Sequence, residues 1–217
     1  MESSATGETL GVALTFDDAL LQLADRSSVK RRSAAKALRR LADHAAGPSL
    51  MGALAREVKD ERTWETQYQM VMALAECHYM PALEWLRQLA GTLDDPLMLA
   101  VGLGDAVVRL GILAGDTDAL VRWAIATSNT SIADGAFRAL AMTGTVPGAD
   151  VVREILTYLA PLQAQDCRRF WVATAAVDWE GEPVRAALRA WSSLPRSDVA
   201  DAARASLIGE HRRHNPL

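Results

Sequence analysis

Cysteine is scarce: Cys77 and Cys167 lie 90 residues apart in a 217-residue chain, with no metal-ligand spacing around either. That excludes a disulfide framework and a cysteine zinc site, and reads as two thiols of a reduced compartment. Aromatic residues make up 6% of the chain, and Val, Ile, Thr and Tyr do not gather into short alternating runs. Sheet is therefore disfavoured, and the alanine and leucine that dominate the apolar half of the chain favour helix. Only four histidines occur, at 44, 78, 211 and 214. His211 and His214 stand three apart in the polar run "EHRRHNPL", which reads as a frayed end rather than a ligand pair. No glycine-rich phosphate loop and no Gly-x-Ser-x-Gly elbow is present. A net charge of −4 gives no global signature of a nucleic-acid binder. The opening "MESSATGETLGVALTFDD" lacks a basic segment followed by an apolar run, so no signal peptide is expected and a cytoplasmic location is. The most membrane-like window, "LMLAVGLGDAVVRLGILAG" at 97–115, holds four glycines and an Asp105–Arg109 pair four residues apart. A buried helix with one internal ion pair is expected there, not a bilayer span.

What the chain does contain is recurrence. An arginine follows an apolar residue in "ALAREV", "WLRQLA", "LVRWAI", "VVREIL" and "EPVRAALRAW", at Arg56, Arg87, Arg122, Arg153 and Arg185, with spacings of 31, 35, 31 and 32. A small-plus-aliphatic step recurs at Ala37-Leu38, Ala73-Leu74, Ala106-Val107, Ala139-Leu140 and Ala176-Val177. Pro48, Pro81, Pro147 and Pro183 mark helix starts, where the missing N–H costs nothing. Between these marks the apolar spacing is helical: Val152, Ile155, Leu156 and Leu159, then Val184, Ala187, Leu188 and Trp191, fall at i, i+3, i+4 and i+7. Capping signals stand at Ser27 or Ser28, at Asp95-Pro96 and at Thr130-Ser131. The pattern predicts helix pairs at 28–43 with 48–59, 62–77 with 80–91, 95–111 with 117–127, 130–143 with 147–160, and 164–178 with 182–193. A short helix at 15–24 precedes them and another near 196–210 follows.

Amphipathic pairs at a period of about 33–37 residues are expected to stack as an all-α solenoid, because no pair can bury its apolar stripe alone. The first outer helix, "SVKRRSAAKALRRLA", resembles the HEAT-repeat pattern of valine and a basic residue, paired alanines and an Ala-Leu step. The resemblance covers about residues 26–195. It implies a right-handed α-solenoid of about five HEAT-like helix pairs in a single domain spanning 1–217, with a flexible N-terminus at 1–14 and a C-terminal cap at 196–210. It implies no cofactor, since the His-Glu pairs of HEAT-repeat hydroxylases are missing. The third repeat is unusually glycine-rich and the fourth lacks the basic start.

In such repeats the second-helix arginine pairs with an acid near the turn, so the row at Arg87, Arg122, Arg153 and Arg185, widened by Arg189, has a structural reading. Asp116, Asp118, Asp150, Glu180 and Glu182 are local partners. The functional reading is a cationic line on the concave wall that grips a carboxylate-rich peptide or a phosphate backbone. Arg32, Lys36, Arg39 and Arg40 share a face of the first outer helix and form a second, basic docking candidate. Trp64, Glu65 and Tyr68 in "TWETQYQ" form a third candidate surface, or else an aromatic wedge against a turn. The expected function is a non-enzymatic scaffold that binds a protein partner through its concave face. The alternative is a nucleic-acid-binding or DNA-repair protein of the HEAT-like alkylpurine DNA glycosylase type, with Trp64 and Glu65 or Asp178 and Trp179 as carboxylate and stacking platform.

Overall fold

The computed structural model describes residues 14–92 and 97–211; the expected flexible segment 1–14 (apart from Leu14), the Asp95-Pro96 cap and His214 lie outside them. Twelve α-helices occur among the described residues, with single 3-10 turns at four places and no strand. They are α1 (Phe16–Gln22), α2 (Ser28–Leu41), α3 (Gly47–Glu57), α4 (Trp64–Glu76), α5 (Leu83–Ala90), α6 (Leu97–Ala114), α7 (Thr117–Ala126), α8 (Thr130–Thr143), α9 (Ala149–Leu159), α10 (Arg168–Ala175), α11 (Glu182–Trp191) and α12 (Ser197–Leu207). Each expected helix is present, and the longest departure is at α10, where the predicted 164–178 starts four residues later. Residues 161–167 there form irregular turns instead.

The helices fall into two rows. Helices α2, α4, α6, α8, α10 and α12 pack each against the next, while α7, α9 and α11 form a looser second row and α3 and α5 lean on α4 and α6. Composition explains the difference. The even helices bury small residues, Ala34, Ala35 and Ala37 in α2, Ala133, Ala136 and Ala139 in α8, Ala202 and Ala203 in α12, which let helix axes approach. The odd helices bury one stripe of larger aliphatics, such as Val151, Val152, Ile155 and Leu159 in α9, and leave the opposite face to charge.

The centre of the even row is closed on every side. Residues 66–75 of α4 and 99–108 of α6 are buried without a break, so neither helix has a solvent face in its middle. The tightest joint is between α6 and α8. A Cβ on Gly135 would lie 2.0 Å from the Val101 carbonyl oxygen, and one on Gly104 would lie 2.1 Å from that of Ile132. The two glycines let the backbones touch where any side chain would hold them apart. One hydrophobic core runs along this row, from Ala19 in α1 to Ala203 in α12.

Arg169 orders the connection from α9 to α10. It is 5% exposed and donates to the carbonyls of Leu159 at the end of α9, at 3.0 Å, and of Leu162, at 2.5 Å, and Gln163 in the turn that follows. This fixed turn delivers Asp166, Cys167 and Arg168 to the start of α10.

Candidate functional site

The arginine row stands on the second helices and is largely neutralised. Arg122 on α7 shares its Nε–H between both carboxylate oxygens of Glu154 on α9, each at 3.0 Å, tying two successive odd helices together. Arg153 pairs with Asp150 one turn before it, Arg189 with Glu182 at 2.8 Å, and Arg87 with Glu84 at 3.5 Å. Arg185 is exposed beside Asp178, Glu180 and Glu182. The compensating acids differ in part from the expected ones: Glu154, not Asp116 or Asp118, holds Arg122. Asp118 instead accepts from the backbone N–H of Gly148 at 3.0 Å. Because Arg122 and Glu154 are each nearly half exposed, Arg122→Ala is expected to cost about 0.2–1 kcal/mol. Chemical denaturation checks this, and a loss near 3 kcal/mol would make the pair a structural lock.

The basic face of α2 divides. Arg32 pairs with Glu65 and Arg39 donates to Gln69 Oε1 at 3.4 Å, so both turn toward α4, whereas Lys36 and Arg40 stay exposed. Arg31, in the same charge run, is internal: it forks onto Glu57 at 2.6 and 2.7 Å and donates to the carbonyls of Asp25 and Arg26. The "TWETQYQ" surface does not form as a unit. Glu65 is exposed and Trp64 half-buried, but Tyr68 is core, packed where Gly102 leaves room for its ring. Its place is set by α4 being buried all round, which the polar company of Tyr68 disguises. Trp179 is likewise buried, with its indole N–H unpartnered, while Asp178 is exposed and lies 3.3 Å from His211.

The polar centre is built from residues outside these candidates, Tyr68 apart. Asp105 on α6, with no solvent exposure, accepts from Arg109 one turn on and from Arg138 Nε on α8 at 2.6 Å. Arg138 also donates to Met72 Sδ at 3.4 Å and holds its guanidinium 5.8 Å from the Tyr68 ring centroid. Arg109 reaches Glu76 at 3.7 Å. Burial works against the Arg138 charge, but Asp105 and Tyr68 together outweigh it, so the guanidinium is held more firmly protonated than a free arginine. One carboxylate thus ties α6 to α8 and, through its arginines, to α4.

Beside this network a cavity of about 520 Å³ opens among α6, α8, α10 and the start of α12. Met98, Val101 and Trp171 give it apolar walls; Asp134, Arg138, Arg168, Arg196 and Cys167 give it polar ones. The ring of Trp171 is fixed by an edge-to-face contact with Phe170 at 4.8 Å. Arg168 forks onto Asp166 at 2.9 and 2.5 Å and donates to the Tyr158 hydroxyl at 2.8 Å. That hydrogen bonding holds the Asp166 carboxyl below the usual carboxylate range. Arg196 forks onto Asp198 with both contacts at 2.8 Å.

Asp134 is the exception. Its Oδ1 is buried with no hydrogen-bond partner, because Arg138, one turn along the same helix, is drawn away to Asp105. Burial raises its carboxyl to about 6, against the pull of Arg138, Arg168 and Arg196 and with a push from Asp166. A carboxyl whose folded value lies above the unfolded 3.8 destabilises the fold as pH rises between the two, because the unfolded chain releases the proton first. Asp134→Asn is therefore expected to raise unfolding free energy at pH 7 by about 2–3 kcal/mol, with the gain gone below pH 4. Urea melts of both proteins across pH 4–8 check it; equal stability at pH 7 would place the carboxyl in good solvent.

Neither thiol is activated. Burial pushes Cys77 up to about 11, and burial with Asp134 and Asp166 pushes the accessible Cys167 up as well. Among the described residues, no three His, Cys, Asp or Glu side chains converge as a metal site, and no helix is long and apolar enough to cross a membrane. The molecule is thus an all-helical protein with a keyed ionic centre and one mixed-lining cavity beside it. No protein-family model matches the chain, and no curated protein matches it.

Proposed function

We propose that the chain is a HEAT-like, right-handed α-solenoid of about five helix pairs with atypical ends, and that it works as a non-enzymatic scaffold for a protein partner. Tight stacking of the even helices against loose stacking of the odd ones supports curvature toward the even row. The inner face is then filled at its centre by Tyr68, Met72 and the arginines of Asp105, and opens at the cavity among α6, α8, α10 and α12. That opening carries the reading: it presents apolar and charged groups side by side on a rigid wall, the composition of a protein-contact anchor point. The arginine row belongs to the outer face and is neutralised by acids, which favours a stacking role over a grip on phosphates.

Cys167 offers the test, since it lines the cavity and the other thiol is buried. Proteins from the source cells retained by the immobilised chain are compared with those retained after maleimide blocking of Cys167. Stoichiometric, saturable partners lost on blocking are expected; identical retention by both forms overturns the reading. A second reading rests on Asp134 lining the cavity beside Trp171, the carboxylate-and-aromatic pairing that an alkylpurine DNA glycosylase requires. Release of an alkylated purine from duplex DNA, abolished by Asp134→Asn, would replace the scaffold with that enzyme.

A further inference from the structure

We infer that the cavity among α6, α8, α10 and α12 is a receptor for a basic side chain, lysine or arginine, of a partner polypeptide, with Asp134 as its counter-charge. The inference rests on the protein-partner reading above and adds the chemistry of what enters.

The charge balance of the walls is decisive. Three arginines face the cavity, and each has an acid of its own: Arg138 has Asp105, Arg168 has Asp166, and Arg196 has Asp198. Asp134 is the one carboxyl left over, and its buried Oδ1 lacks a donor. A buried acceptor without a donor is expensive, and the expense is removed by a ligand that brings N–H groups. An anionic ligand would need a guanidinium to leave its own acid and would stand against Asp134. A neutral apolar ligand would leave Oδ1 unsatisfied. A cation on an alkyl stem meets both demands: its head donates to Asp134 as a charge-assisted hydrogen bond, and its methylenes lie along Met98, Val101 and the fixed ring of Trp171. The indole face adds attraction for the cation itself.

The mechanism makes binding pH-dependent. Asp134 faces Arg138 on its own helix, Asp166, Cys167 and Arg168 from the start of α10, and Arg196 from the start of α12. Lysine and arginine stay charged across pH 5–8, and the three arginines and Asp166 keep their charges, so Asp134 is the group that titrates. Protonation of its carboxyl removes the counter-charge, and affinity falls as pH drops through about 6.

The probes are the N-acetyl methylamides of arginine and lysine, with those of citrulline and norleucine as uncharged controls. Binding to the intact protein is followed by the NMR signals of the Trp171 indole N–H and the Met98 methyl. Saturable shifts with the two cationic probes are expected, weakened about tenfold or more at pH 5 and in Asp134→Asn, which is checked for an unchanged or higher melting temperature. Equal binding of the uncharged probes, undiminished binding to Asp134→Asn, or displacement of the cationic probes by a DNA duplex overturns the assignment. Failure of the probes while Cys167-dependent partner capture persists refutes this site chemistry alone. Probe binding without any captured partner refutes the scaffold reading instead.

Discussion

Asp105→Ala is expected to lower unfolding free energy by about 3–5 kcal/mol, the cost of leaving buried cations without their counter-charge. Asp105 has no solvent exposure and receives both Arg109 and Arg138, the latter 8% exposed. Without the carboxylate, Arg138 retains the weak acceptor of Met72 and the face of Tyr68, with Asp134 one turn back on α8 as the remaining carboxyl that acts on it. Arg109 retains Glu76 at 3.7 Å, so the larger share of the loss belongs to Arg138. The double variant Asp105→Leu, Arg138→Leu separates a lost contact from a stranded charge. Replacing both members by apolar residues is expected to recover most of the loss, because a buried pair contributes little net stability over packed hydrocarbon. Urea denaturation of the three proteins checks this; a single-variant loss below 1 kcal/mol would mean that water reaches the network.

Gly135→Ala is expected to cost about 3 kcal/mol or more, at the upper end of overpacking penalties. The new Cβ would lie 2.0 Å from the Val101 carbonyl oxygen and 2.8 Å from the Asp105 backbone nitrogen. Both are helix backbone, which does not swing aside as a side chain does, so α6 and α8 must separate. Separation lengthens the 2.6 Å contact between Arg138 and Asp105 as well, which couples this prediction to the first. Gly52→Ala serves as the control. It sits inside α3, where a Cβ would meet only an Arg56 nitrogen at 3.7 Å. There, the better helix propensity of alanine is expected to raise stability by about 0.5–1 kcal/mol. Thermal melts of both variants decide whether the close approach or the glycine content matters.

The helices could be read from the chain because their signals are local: proline at Pro48, Pro81 and Pro183, Asn129 capping α8 just ahead of the marked Thr130-Ser131, and stripes such as Val184, Leu188 and Trp191. The Asp105–Arg109 pair was local too. The site was not. Its residues come from four helices whose meeting depends on the stacking, and no spacing within one helix announces it. Tyr68 misled because a polar first turn precedes it, although α4 turned out to have no solvent face in its middle. One signal was available. Asp105 and Arg138 stand 33 residues apart, one repeat period, and each interrupts an apolar helix. An acid and a base so placed are set to meet when repeats stack, a test that applies to the even row as it did to Arg122 and Glu154, 32 apart, in the odd one.

Chains of like units are commonly treated as interchangeable beads, to be added, deleted or shuffled without penalty. The joint between α6 and α8 does not permit that. Among the described residues, only there do two glycines admit backbone contact, and only there does one carboxylate serve arginines from both helices. Excising the pair α6–α7 would take Asp105 away from Arg138 and set Gly135 against α4, a helix that has no glycine. The α6–α8 joint is therefore not exchangeable for another helix contact of the row, and it is a fixed address from which the position of the neighbouring cavity is measured.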